Sequence, residues 1–392
     1  MAGLAMTAAV AAAAGAEAAG AAPVELARLT ETLERAWERT RAVYYSPKTH
    51  LYYGAPLAQV SPAKVFTNGF LDPDKDKAGY GQGMEDCPIF GGLLLSMFAD
   101  RFAVTGEASL AEPARDVFAG LELCATVHGV PGFVARGICL EDGKSVCLTS
   151  SRDQYTHFVH GLWRYYHSRL CDAETKGRIR TQLRAVAERM RRNVTPENDY
   201  DFLRADGSRD PRGICRMWNV LPHEAARLPM FYAAAWDACR DETYLRLYRQ
   251  YLEPALDHSL TLPSLPRSQL NRSMPTYSLL QMQTSLEVLL ALETDARLKA
   301  KIAAAMKPVA EMAAERAIRV NGGEERYLCA CGEAALAQLM AEDVPFPRQQ
   351  VELLCRSIAL SDPATVTSCR TIHLLSAFWR ARRLGLLVPP TP

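Results

Sequence analysis

Two carboxylates draw attention first, Asp86 and Asp153, because each sits where a loop runs into a long apolar helical pattern. A pair of acids facing one space can divide proton transfer, one giving a proton while the other takes one or stabilises positive charge. Asp153 belongs to the stretch Ser150-Ser151-Arg152-Asp153-Gln154-Tyr155-Thr156-His157-Phe158-Val159-His160-Gly161-Leu162-Trp163. The serine pair can cap a helix there. Asp153, His157 and His160 follow an i, i+4, i+7 spacing, which places all three on one helix face. Glu85 and Glu224 are substitutes for either acid. The plainer alternative is a pair of acids that stabilise helix dipoles and histidines that are simply buried and hydrogen-bonded.

Around these acids the sequence offers groups suited to a polar, ring-shaped ligand. Arg136 and Arg152 lie in, and at the end of, the insertion that leads to Asp153, and Tyr155 and His157 follow it. Further along, Trp218, Asn219, His223 and Glu224 stand at the entry to one helical pattern, and Asn271, Arg272 and Tyr277 at the entry to the next. Arg326 and Glu333, then Arg370 and His373, stand at the two after that. Aromatic faces suit sugar rings, and arginine makes bidentate contacts to carboxylates. Taken singly, an arginine is usually solvated surface and a Trp or Tyr is usually packing.

The elements that must position these residues are almost all helices. Apolar periodicity predicts twelve, over about 24–45, 88–104, 112–127, 154–170, 173–192, 223–239, 242–258, 276–292, 295–318, 329–341, 347–359 and 370–384. Extended structure is expected only near Phe133 to Leu148, as a hairpin closed by Asp142-Gly143. The connections alternate in length. Long ones follow the first, third, fifth and seventh helices, moderate ones the ninth and eleventh, and tight turns lie between. Six antiparallel hairpins closing into a ring would put every long connection at one end, where the inner helices direct their positive dipole ends.

This layout resembles the six-hairpin (α/α)6 glycosidase superfamily from about Val24 to Leu386. The residues that carry the resemblance are Gly83-Met84-Glu85-Asp86-Cys87-Pro88-Ile89-Phe90-Gly91-Gly92-Leu93, Phe102-Ala103-Val104-Thr105-Gly106-Glu107 and Ser151-Arg152-Asp153-Gln154. Pairing Asp86 with Asp153 is similar to the two-aspartate arrangement of unsaturated glucuronyl and galacturonyl hydrolases. Their histidine-aspartate-glycine motif is not reproduced at Asp86. The resemblance implies an all-α (α/α)6 barrel with a small β-hairpin insertion and a glycoside hydrolase acting on a uronate-containing oligosaccharide. Asp153 would transfer the proton at the scissile bond, with little effect of Asp153→Asn on stability. Arg152 would tend to keep Asp153 ionised, so either Arg152 faces the substrate carboxylate or Asp153 is the base and Asp86 the acid. A polysaccharide lyase using Tyr155 or His157, a sugar epimerase and a non-catalytic glycan-binding protein are the alternatives on the same scaffold.

Composition narrows the partners further. Lys and Arg total 45 against 44 Asp and Glu, so no charge excess points to nucleic acid. The 48% hydrophobic content supports a large core. Residues 1–23 are rich in Ala and Gly and read as a signal peptide without its basic start, or as a disordered leader. Export to the periplasm or outside follows if the signal is used, a cytoplasmic location if not. Residues 24–386 form the barrel and 387–392 a tail. No further stretch reaches the length of a membrane span. Among eleven cysteines, Cys139 and Cys147 flank the expected hairpin turn and could bridge it. Cys329-Ala330-Cys331 is too short and isolated for a zinc site, with Cys355 and Cys369 supplying no second close pair, so no metal or cofactor is indicated.

Overall fold

The computed structural model describes residues 26–60, 70–71, 83–266, 275–320 and 328–387. Among them twelve α-helices follow in order: α1 (Leu26–Tyr44), α2 (Cys87–Thr105), α3 (Ala111–Thr126), α4 (Arg152–His167), α5 (Ala173–Asn193), α6 (Arg227–Cys239), α7 (Glu242–Ser259), α8 (Thr276–Leu292), α9 (Ala296–Val320), α10 (Leu328–Leu339), α11 (Arg348–Ala359) and α12 (Ser368–Arg383). Each even-numbered helix packs on the next, from α2 on α4 round to α12 on α2, so the inner ring closes. The odd-numbered helices pack outside it, α3 on α2, α5 and α7 on α6, and α9 on α8 and α10. This is the (α/α)6 barrel that the resemblance implies, built from the twelve helices that the periodicity predicts.

Burial follows from each helix's place in the two rings. Leu93, Leu94 and Leu95 in α2 are consecutive and each 0% exposed, although neighbouring side chains on a helix point about 100° apart. A helix buried on all sides has protein all round it. By contrast α1 buries Leu29, Leu33, Ala36, Trp37 and Thr40 at helical spacing and leaves its far face polar. Each fully buried leucine contributes roughly 1.5–3 kcal/mol. By length and composition α2 could cross a membrane, but 67% of that stretch is buried inside the ring. Between α2 and α4 the backbones nearly touch: a Cβ on Gly161 would fall 2.4 Å from the Gly92 Cα. Any side chain there would force the two helices apart.

Tight turns join each inner helix to the next outer one. Gly106 ends α2 with φ 67°, a conformation glycine adopts without strain. Asp172 caps α5 by accepting from the Thr175 amide at 2.7 Å, and Asp241 caps α7 from Thr243 at 2.9 Å. All long connections therefore gather at the end where the inner helices begin.

The expected hairpin between Phe133 and Leu148 shrinks to one antiparallel bridge, Ile138 with Val146. Asp142-Gly143 does turn the chain, with Asp142 Oδ1 accepting from the Lys144 and Ser145 amides. Beyond it Val146–Cys147 (β4) pairs in parallel with Phe70–Leu71 (β3) instead of running back along its own partner. A further antiparallel pair, Tyr45–Ser46 (β1) with Leu51–Tyr52 (β2), closes the first helix. Cys139 and Cys147 are both thiols. The register explains why the bridge does not form: the Cys139 amide bonds the Ser145 carbonyl, which leaves Cys147 two residues further on, and the Cys139 thiol donates to Glu141. Residues 1–23, Asn271, Arg272 and Arg326 lie outside the described residues, so the leader and these three site assignments do too.

Candidate functional site

The first turns of α2, α4, α6, α8, α10 and α12 meet at the loop-bearing end of the ring. Asp153 lies in the first turn of α4, which begins at Arg152, two residues earlier than the periodicity predicts. Ser151 takes the N-cap position but makes no capping bond; Ser150 instead donates to the Val134 carbonyl at 2.6 Å. Asp153 Oδ1 accepts from Arg227 Nη1 at 2.7 Å, and Arg227 Nη2 donates to Gln281 Oε1 at 2.6 Å. Arg227 is only 1% exposed, whereas the Asp153 side chain keeps 31% of its surface. A buried guanidinium thus presents a carboxylate that is partly open. Burial alone would raise the Asp153 pKa, but Arg227 holds it below the usual carboxylate range, with Arg152 and Arg136 adding less.

Arg152 therefore plays a different part from the one expected of it. Its Nε donates to Glu224 Oε1 at 2.7 Å, and its Nη1 donates to the Gly213 and Arg216 carbonyls. It ties the long loop before α6 to the start of α4. Glu224 is drawn into that tie: burial would raise its pKa, yet Arg227 and Arg152 bring it below normal. Its carboxylate is committed to the clamp and does not substitute for Asp86 or Asp153.

Asp86 occupies the N-cap position of α2 without making a side-chain cap. Its Oδ1 accepts from Gln154 Nε2 at 3.0 Å and lies 3.5 Å from Arg136 Nη2. Because Gln154 follows Asp153 directly, the two acids are connected across the α2–α4 contact. Glu85 Oε2 accepts from the Gly83 amide and serves the loop. Tyr277, in the first turn of α8, is 44% exposed; its pKa is raised by burial of the phenol and then by the charges of Asp153, Glu333 and Asp86. Asp86, Asp153 and Tyr277 all stand at the starts of inner helices, at the same end of the ring.

Deeper along α4 the predicted histidine face divides. His157 is 1% exposed and its Nδ1 has no hydrogen-bond partner among the described residues. Burial drives its pKa well below normal, with His160, His373 and Arg227 nearby adding to the shift, so the ring is neutral. His160 belongs to the opposite end, where it bonds Glu287 at 2.8 Å. His223 is buried, its Nδ1 has no partner among the described residues, and burial lowers its pKa to about 4. Glu333 in α10 is 9% exposed; burial raises its pKa against the opposing charges of His373 and Arg316.

Four residues expected to bind substrate stand elsewhere. Tyr155 is 0% exposed, its hydroxyl donating to the Gly132 carbonyl and accepting from the Val134 amide, both at 3.0 Å. It is a strut for the loop, and no proton-transfer role remains for it. Trp218 meets Tyr251 edge-on at 4.8 Å and, with Asn219, lines a separate cavity of about 300 Å³ against Pro254 and His258 of α7. An arginine at the first turn of α12 was also expected to face the ligand, but Arg370 Nη2 donates to the Leu360 carbonyl at the end of α11. Helix ends leave carbonyls without internal partners, and a guanidinium satisfies one here.

Arg227 and Gln281 are the residues the sequence reading missed. A signal was available: a cation in the first turn of a helix is opposed by the dipole, so Arg227 between Ala226 and Leu228 implies an acidic partner. Cys369, set aside with the other cysteines, lies one turn from His373 on α12.

No protein-family model matches the chain, and no curated protein matches it. Among solved structures it is similar to a sugar epimerase from a ruminal bacterium, at 12% identity over 85% of each chain with a TM-score of 0.50. It is also similar to a glycoside hydrolase family 76 mannosidase from Bacteroides thetaiotaomicron, at 10% identity over 92% of this chain and 99% of that one with a TM-score of 0.52. At such identities the likeness is one of fold, and it agrees with the closed ring of six hairpins.

Proposed function

We propose that the chain is a glycoside hydrolase acting on an acidic, uronate-containing oligosaccharide, with Asp153 as the base and Asp86 as the acid. The observation that carries this reading is the buried Arg227, which keeps Asp153 ionised in the mouth of the ring while leaving part of its carboxylate open. An ionised carboxylate cannot donate a proton, so it takes one from water as water attacks the anomeric carbon. Asp86 would protonate the departing oxygen, and the glycosidic C–O bond breaks as water adds across it. Arg136, 3.5 Å from Asp86, would turn to a substrate carboxylate on binding, and that exchange would leave Asp86 able to hold the proton it gives. The names of the two fold neighbours, a sugar epimerase and a mannosidase, support a sugar as substrate.

A sugar epimerase is the second reading, favoured by His157, which is neutral and close to His373 inside the ring. The test is a panel of uronic-acid and neutral oligosaccharides assayed for three products. New reducing ends support the hydrolase, and an epimer without new reducing ends supports the second reading. An unsaturated product would mean a lyase. No turnover on any of them, with Asp153→Asn keeping glycan affinity, would make the chain a binding protein.

A further inference from the structure

We propose that Glu333, Cys369 and His373 form a zinc site whose fourth coordination position opens toward the interior of the ring. The three residues come from two neighbouring inner helices. Cys369 and His373 are one turn apart on α12, and Glu333 faces them from α10. One potential ligand atom from each lies within 4.8 Å of the others. The Cys369 Sγ is 3.7 Å from His373 Nδ1.

Two further observations favour a ligand over chance proximity. Gly332, next to Glu333, lies so close to α12 that a Cβ there would fall 2.8 Å from the Cβ of His373. The backbones can approach only because that residue is glycine, and the approach is what brings Glu333 to His373. Glu333 is also nine-tenths buried, and its carboxylate has no hydrogen bond or ion pair among the described residues. A buried carboxylate without a direct bond is costly to ionise, and a divalent cation would supply a bonded opposing charge. His373 is steadied by its Nδ1, which donates to the Cys369 carbonyl oxygen at 2.6 Å and leaves Nε2 for the metal. A second atom that fixes a ligating imidazole is a regular feature of metal sites.

The donor set decides the ion. A thiolate with an imidazole and a carboxylate suits zinc over magnesium or calcium, which take oxygen ligands. Three protein ligands leave one position for water or a substrate oxygen, and the surrounding ring is where a sugar would lie. Binding displaces the thiol proton, and the carboxyl proton where present, to solvent.

The site is tested with metal ions alone on the full chain after removal of bound metal by chelator. Zinc should bind at one equivalent, and cobalt(II) in its place should show the thiolate-to-metal charge-transfer absorption. Cys369→Ser should abolish that absorption, and His373→Gln should weaken zinc binding by at least about 10–100-fold. Circular dichroism of the metal-stripped variants checks that they fold. Should Cys369→Ser not fold, Glu333→Gln, which keeps the shape of the side chain, should weaken binding as well. Binding below one equivalent in the wild-type chain, or a cobalt spectrum unchanged in Cys369→Ser, overturns the proposal. These readouts use no sugar, so they stand apart from the outcome of the glycan panel.

Discussion

At the tight-turn end of the ring, Asp100 lies among Arg164, Arg380 and Arg383, and Glu287 takes bonds from Arg380 and His160. Glu342 accepts from Arg383 and adds a third acid. At the loop-bearing end, among the described residues, the same kinds of group are sparsely matched: Asp153 is ion-paired to one arginine, Glu333 makes no direct bond, and His157 and His223 each leave a ring nitrogen unbonded. Both ends bury charge, but Asp100 and Glu287 at the first are each ion-paired to several groups, whereas Asp153 at the second is ion-paired to Arg227. Burial opposes the charge on Glu287, yet Arg380, Arg164 and His160 hold its pKa well below normal. A cavity of about 290 Å³ adjoins this network between Trp163, Met306 and Met340, and the charged groups beside it are already engaged. The difference separates charges that hold the ring together from charges left available to a ligand.

The largest effect should come from breaking the saturated end. Arg380→Met removes a guanidinium that is 1% exposed and bridges Glu287 and Asp100, and the loss should be about 3–5 kcal/mol in a urea unfolding series. If the comparison is right, turnover of the folded fraction is unchanged. A variant as stable as the wild type would show that the network is not structural.

Asp153→Asn should lower turnover on a confirmed substrate by at least about 100-fold, the usual lower range for a lost acid or base. The structure also revises the expectation of unchanged stability, because Arg227 loses the charge of its partner while remaining buried. The variant should unfold about 1–3 kcal/mol more easily. Turnover close to wild type would leave Asp153 as a structural partner of Arg227.

Acid should weaken the sparse end before the saturated one. His223 has a folded-state pKa of about 4, below the ordinary histidine value of about 6.5, so the unfolded chain binds its proton first. Its contribution to stability is complete above about pH 6.5 and is lost progressively as the pH falls toward about 4. Urea midpoints measured across that window should decline, and His223→Gln should flatten the decline. An equal slope in both proteins would remove His223 as its source. The smallest effect is expected at the outer cavity: Trp218→Ala should leave kcat/KM at the wild-type value, and a clear drop would bring that cavity back into the substrate path.

The helices were legible because apolar periodicity is a local property, and all twelve lie close to where it places them. The hairpin after Phe133 was less legible, since the turn is written in Asp142-Gly143 but the strand that pairs with Val146–Cys147 comes from the distant Phe70–Leu71. Among the candidate ligand-binding residues, Arg152, Tyr155 and Arg370 were placed at the right helix starts and given the wrong partners. A helix start fixes where a side chain begins, and a long side chain can turn to whichever backbone carbonyl lacks a donor.

By itself the sequence determined the helical class, the alternation of long and short connections, and so the end of the ring where the long connections gather. Only the tertiary structure decided which charges meet there. Arg227 and Asp153 are 74 residues apart, and Glu333 reaches His373 through a glycine contact between two separate helices. Pairings of that kind depend on ring closure, which sets distances between elements that no local pattern encodes.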